Sequence, residues 1–531
     1  MALASAGILA AGLAGCGSGS GSNNGTGNTA GGPSGSFILG TTDPVTAVDP
    51  AGSYDFGSWN IQYNIFQQLM DVPAGQSTPQ PDAAKSCAYS DPQTIKCVLR
   101  PNLKFSNGDA LTSADVKYSF ERNIAINNPN GSAVLLGSIT DATNADHPKL
   151  AANAIETPDP STVIFHLNRP DQTFLSVLTT ATASIVDQQV YPADKLLPDA
   201  KAIGSGPYTL AQYQAGQQAV FQANPNYQGP NTPKTKQVFV SYFNDPAPLK
   251  QAVESGQVDI AWRTLSPTDL NDLQSSGKVD VIHGQGSEFR YWVFDLGTKV
   301  GKQLAIRQAV AQLIDRNAIS KNAYDGTVKP AYSIVPPGFA GQKDSFKTRY
   351  GAPSVDKAKA ILQAAGIKTP IAIKLGYTPT HYGPNAVDEA NELKTELTNS
   401  GLFTVSVDDA EWTQYQTLYK QGAYDLYILG WYPDFLDADD YLTPFIRDGG
   451  FFANHYSNKT VDKLLDQELG ETDASKRSQI IGQLQDIVAR DVPLVPSWDG
   501  QNVAVASKSM QGVSDTLDPT YIFRFWMISK K

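Results

Sequence analysis

Apolar positions recur along this chain in two rhythms, and the change between them falls near residue 290. Upstream the apolar runs are short and strand-like. Phe37-Ile38-Leu39 reads as a first strand, and residues 95–100, 204–210 and 218–222 as later ones. Ile61, Ile65, Phe66 and Leu69 share one face of a helix predicted over residues 61–70. Thr112 and Asp115 have the spacing of a capping box and open a helix running to Arg122, with Val116 and Phe120 as its buried stripe.

Downstream, helices alternate with strands. Ile306, Val310, Leu313 and Ile314 mark one helix; Ala358, Ile361, Leu362 and Ala365, stopped by Gly366, mark a second; Ile480, Leu484, Ile487 and Val488 mark a third before Pro493. Strands are predicted over 371–375, 403–407, 426–429 and 503–506. This alternation predicts an α/β lobe following a more mixed one.

Length changes the picture first. With 531 residues the chain is too long for one compact core, so two or three lobes are expected. A net charge of −11 argues against nucleic-acid binding, which needs a surplus of Lys and Arg on one face. No apolar run beyond residue 16 approaches the roughly 20 residues that span a bilayer.

The three cysteines divide into one and two. Leu13-Ala14-Gly15-Cys16 resembles the bacterial lipobox, which predicts a signal segment over residues 1–15 and lipidation of Cys16. Residues 16–35, rich in Gly, Ser, Asn and Thr, then form a flexible linker with a reach of roughly 25 Å. No Lys or Arg precedes Lys85, so the basic head of a secretory signal is expected upstream of Met1. Outside the cell thiols oxidise, and Cys87 and Cys97 flank the turn Asp91-Pro92-Gln93-Thr94, which predicts a cross-strand disulfide.

Several segments, read in order, carry a resemblance. They are Cys97-Val98-Leu99-Arg100-Pro101-Asn102-Leu103-Lys104-Phe105 through Val116; Gly204-Ser205-Gly206-Pro207-Tyr208; Ala223-Asn224-Pro225-Asn226-Tyr227; Ala252 to Ile260; Arg307-Gln308-Ala309-Val310 with Ile314-Asp315-Arg316; and Ala358 to Leu362 with Ala365-Gly366. Together they resemble the extracytoplasmic solute-binding protein family 5 of ABC importers, which includes oligopeptide-, dipeptide- and nickel-binding proteins. The resemblance implies an α/β, two-lobed periplasmic-binding-protein-like fold of type II, with an extra subdomain in the first lobe. On that pattern residues 36–285 plus 501–531 form lobe I, about 60–200 being the extra subdomain, and 286–500 form lobe II. It further implies a non-enzymatic, monomeric, lipid-anchored extracytoplasmic receptor without cofactor or metal, which hands its ligand to permease subunits in the membrane.

The peptide-binding members place a tryptophan, a Gly-Trp after a strand, and an aspartate three residues on, along their cleft. Trp412, Gly430-Trp431 and Asp434 match those positions. The resemblance gives Asp434 to the peptide ammonium and the backbone at Gly430 and Tyr432 to the peptide main chain, as a charge-assisted bond and main-chain pairing would require. Asp49-Pro50-Ala51-Gly52-Ser53-Tyr54-Asp55-Phe56 aligns with a segment that supplies contacts from the first lobe, at Tyr54 and Phe56. The chain departs from the family in lacking an arginine in the loop Tyr377-Thr378-Pro379-Thr380-His381-Tyr382, where dipeptide binders clamp the ligand carboxylate, and Ile428 stands where an oligopeptide binder carries one. His381, when protonated, is the substitute in that loop.

Two other classes compete. Ser354-Val355-Asp356-Lys357 matches the Ser-x-x-Lys of penicillin-recognising enzymes, but no Lys-Thr-Gly or Ser-Asp-Asn accompanies it, and Ser354 reads better as a helix cap. The five histidines have no zinc spacing. Within the binding class, an oligosaccharide stacked on Trp412 and Trp431 is the alternative to a peptide.

Overall fold

The computed structural model describes residues 35–141 and 148–531; Cys16 and its flanks lie outside them. Strand β1 (Ser36–Thr41) contains the predicted Phe37-Ile38-Leu39 run, with Phe37 and Leu39 fully buried. Asp55 caps α1 (Phe56–Ile65) by accepting a hydrogen bond from Ser58 N. This helix sits earlier than the expected 61–70. Its end is set by Gly206, whose N–H donates to Ile65 O at 2.8 Å. A Cβ at Gly204 would stand 2.0 Å from that same oxygen, so only glycine admits the approach. Phe66 and Leu69 are buried from beyond the helix end.

β2 (Ala84–Asp91) and β3 (Thr94–Leu99) form a hairpin in which Cys87 lies directly opposite Cys97, and the two form a disulfide. Helix α2 (Ser113–Ile126) begins with the predicted capping box of Thr112 and Asp115 and buries Val116 and Phe120. β4 (Ile155–Asp159) and β5 (Thr162–His166) complete a four-stranded sheet ordered β2-β3-β5-β4. Cys97, Phe120 and Phe165 belong to a core of their own there.

The main sheet takes β1 together with β6 (Tyr208–Gln214), β7 (Gln218–Ala223), β8 (Gln237–Tyr242), β9 (Ile260–Trp262), β10 (Val279–Phe294), β11 (Ile371–Tyr377), β12 (Phe403–Asp409), β13 (Leu426–Trp431) and β14 (Leu494–Ser507). Its order is β12-β11-β13-β10-β14-β9-β1-β8-β7-β6. Helices α3 (Leu304–Leu313), α4 (Val355–Ala364) and α6 (Ala474–Asp491) fall where the apolar rhythm predicts, and α5 (Trp412–Lys420), which it did not predict, lies between β12 and β13. Ser354 caps α4, its side chain accepting from Lys357 N.

The fold is α/β and two-lobed. One core runs from Phe289 to Trp498; another joins Phe37 and Leu39 to Phe523 and Phe525 near the C-terminus. The long strands β10 and β14 pass between them. Val279–Gln285 pair with Gln501–Ser507 on one side, Phe289–Val293 with Leu494–Asp499 on the other, and the register breaks in between.

Candidate functional site

That break faces a cavity of about 550 Å³, within the range that holds a short peptide or similar small molecule. Its lining draws on both lobes: Asp43 and Arg263 from the end of β1 and just past β9, His381 and Tyr382 from the loop after β11, Tyr432 past the end of β13, and Glu288 within β10.

The segment 49–56 is anchored at Asp49. Arg122, on α2, donates from Nη1 to Asp49 Oδ1 at 2.8 Å and from Nη2 to Oδ2 at 2.6 Å, both side chains being almost wholly buried. Tyr54 extends from this anchored loop and donates its hydroxyl to both oxygens of Asp434, at 2.7 and 2.6 Å. Phe56 meets Tyr432 edge-on at 4.9 Å. The structure thus brings Tyr54, Phe56, Tyr432 and Asp434 together where the lobes touch.

On the other side the chain leaves β13 through Trp431-Tyr432-Pro433-Asp434. Asp440 shapes this turn: its Oδ2 accepts from Trp431 Nε1 at 2.9 Å and from Asp434 N at 3.1 Å. Burial pushes the Asp434 carboxyl up to about 7, opposed only by the Tyr54 bond; no cation among the described residues offsets it. Burial, and then the neighbouring Asp434 charge, raise Asp440 well above the carboxylate range.

His381 stacks face to face on Trp412 at 3.8 Å, and Tyr382 meets the same indole edge-on at 5.5 Å. Burial, helped by Arg290, lowers His381 to about 4, so it is uncharged near neutrality and offers no cation to a carboxylate. Gly430 pairs with Arg290 across β13 and β10. A Cβ there would lie 2.2 Å from Arg290 Nη1, which explains the glycine.

Of the sequence-predicted residues, Tyr432 and His381 line the cavity. Trp412 backs His381, while Trp431 packs on Phe445 and Phe451 at 5.3 and 5.5 Å. Sequence reasoning passed over Arg263, Glu288, Arg290 and Tyr382. The available signal was a pair of charges, Glu288 and Arg290, interrupting the apolar run of β10, and an arginine directly after the buried Trp262. Arg290 is 1% exposed, donates from Nη2 to Glu288 Oε1 at 2.9 Å, and lies between the rings of Tyr382 and Trp498 at 4.3 and 4.8 Å.

The family model of the bacterial extracellular solute-binding proteins, family 5 (middle), matches residues 78–452. The chain belongs to this family. Among similar family 5 proteins is the probable D,D-dipeptide-binding periplasmic protein DdpA of Escherichia coli K12, 28% identical over 495 residues, covering 90% of this chain and 91% of that protein. The solved family 5 folds include AgaA of A. tumefaciens R10 in complex with agropinic acid, with TM-score 0.76, 24% identity and coverage of 94% of this chain and 98% of that one. Haemophilus influenzae OppA, in complex with the peptide RPPGFSPFR, superposes with TM-score 0.74 at 21% identity, over 94% of this chain and 99% of that one. This likeness extends through both lobes, and the family binds solutes.

Proposed function

We propose that this chain is the extracytoplasmic substrate-binding component of an ABC importer, tethered through Cys16, which encloses a short peptide between its lobes and delivers it to a membrane permease. The observation that carries the peptide reading is Asp434. It is a half-buried carboxylate at the lobe junction whose oxygens meet only a hydroxyl, where a cation would be favoured. A peptide α-ammonium replacing the Tyr54 hydroxyl would supply that cation as a charge-assisted bond. Ligand touching Tyr54 and Phe56 on one lobe and Tyr432 and Asp434 on the other favours the closed arrangement. The peptide-binding name of DdpA and the peptide complex of OppA support the same class.

Calorimetry with trialanine and N-acetyl-trialanine tests this. Wild type is expected to bind the free amine much more tightly. Asp434→Asn loses that preference at a cost on the order of 2–5 kcal/mol. A neutral oligosaccharide bound equally by wild type and Asp434→Asn, with no peptide bound by either, would replace the peptide with a sugar. Mass spectrometry of solutes retained through purification identifies the natural ligand.

A further inference from the structure

Arg263 occupies an unusual place. The chain leaves β9 at Trp262 with two successive non-glycine residues in the left-handed region, Arg263 at φ 66° and Thr264 at φ 63°. Side chains rarely adopt that conformation, and a pair in sequence persists only where surrounding contacts enforce it. Here Arg263 Nε donates to Asp43 Oδ2 at 3.0 Å. The guanidinium lies 4.1 Å from the Phe56 ring centre, 4.8 Å from Tyr432 and 5.8 Å from Tyr521, aromatic surfaces that suit its faces.

A guanidinium carries five N–H donors, and Nε uses one. Among the described residues Nη1 and Nη2 of Arg263 make no hydrogen bond, although the residue lines the cavity and its side chain is only 13% exposed. The structural arginine Arg122 is different: Nε donates to Pro192 O, Nη1 to Asp49 Oδ1, and Nη2 to Asp49 Oδ2 and Lys195 O, so every nitrogen finds an acceptor. Arg290 also has unpaired nitrogens, Nε and Nη1, but they are sealed from solvent. Of the three acidic groups on the cavity wall, Asp43 is committed to Arg263 Nε and Glu288 to Arg290, while Asp245 is exposed to solvent.

We propose that the Nη1 and Nη2 edge of Arg263 is a seat for a carboxylate of the bound solute. Carboxylate is the favoured anion because the planar fork matches its two oxygens, while the aromatic rings hold the fork in place and Asp43 fixes its rotation. This rests on the reading of the cleft as a solute site, and it supplies the anionic contact that the loop 377–382 lacks. A short peptide with both ends free offers an ammonium for Asp434 and a carboxylate for Arg263.

The test is calorimetry with three probes, trialanine, trialanine amide and N-acetyl-trialanine, on wild type, Arg263→Gln and Arg263→Lys. Circular dichroism and thermal melts establish that each variant is folded. Wild type is expected to prefer the carboxylate over the amide by tenfold or more. Arg263→Gln should abolish that preference yet keep discrimination between free and acetylated amine, and Arg263→Lys should restore part of it. An undiminished carboxylate preference in folded Arg263→Gln overturns the assignment and leaves the peptide reading standing. If wild type binds N-acetyl-trialanine as tightly as trialanine and does so through Arg263, the ammonium reading fails and the carboxylate seat stands. If none of the probes binds wild type, both fail.

Discussion

At the residue scale the proposed peptide reading turns on one carboxylate kept short of positive charge. Asp434 is raised by burial to about 7, so the ionised form that would attract an ammonium gains population as pH rises through that value. The ammonium sets the opposite limit, because an α-amino group deprotonates near 7.7–8.0. Affinity for trialanine is therefore expected to be bell-shaped, falling about tenfold per pH unit on the acid side. Calorimetry across this range checks it. N-acetyl-trialanine should show no acid limb from Asp434, and an identical acid limb in Asp434→Asn would assign the titration elsewhere. The sequence pointed to Asp434 and its neighbours through the resemblance of Gly430-Trp431-Tyr432-Pro433-Asp434 to the peptide-binding members of the family. It did not carry Arg263, whose position depends on a left-handed turn that nothing in Trp262-Arg263-Thr264 encodes locally.

At the element scale, apolar period located β3, β7, β11, β12, β13, α3, α4 and α6 but passed over others, β8 and β10 among them, and contacts distant in sequence moved some of the ends. The clearest case is α1. Its apolar face continues past Ile65 to Phe66 and Leu69, so periodicity extends the helix, but Gly206 takes the Ile65 carbonyl and stops it. The Gly-Ser-Gly-Pro segment acts as a distant helix stop. Gly206→Ala places its Cβ 2.6 Å from Ile65 C and 2.7 Å from Phe66 O, against backbone that has no flexible end to yield. Overpacking of this kind costs typically about 1–3 kcal/mol. Because α1 begins with Phe56 and follows directly on Tyr54, the variant should both melt earlier and bind trialanine more weakly. A thermal melt and calorimetry unchanged from wild type would show that the segment relaxes without strain.

At the scale of the whole molecule, two lobes share one sheet and are joined by β10 and β14, whose register breaks between Gln285 and Phe289. The change of apolar rhythm near residue 290 marks that place in the sequence, although the crossing itself is legible only in three dimensions, since β14 returns from 200 residues downstream. Across the junction the Tyr54 hydroxyl bonds Asp434 and Phe56 meets Tyr432. Tyr54 therefore has two opposed effects. It draws the lobes together, and on the proposed reading it occupies the carboxylate that the ligand would use. A hydrogen bond to a charged group contributes about 1.5–3 kcal/mol net, so removing it shifts the closed-to-open ratio by roughly ten- to a hundredfold. Ligand-free Tyr54→Phe is expected to show a larger radius of gyration than wild type in small-angle scattering. Saturating trialanine should compact the variant and wild type to the same value, because the ammonium bridges to Asp434 in both. Identical scattering curves without peptide would mean that the Tyr54 bond does not set the resting arrangement, and the closure would then rest on other contacts such as the Phe56–Tyr432 ring contact and the Gln172 N–Leu469 O bond.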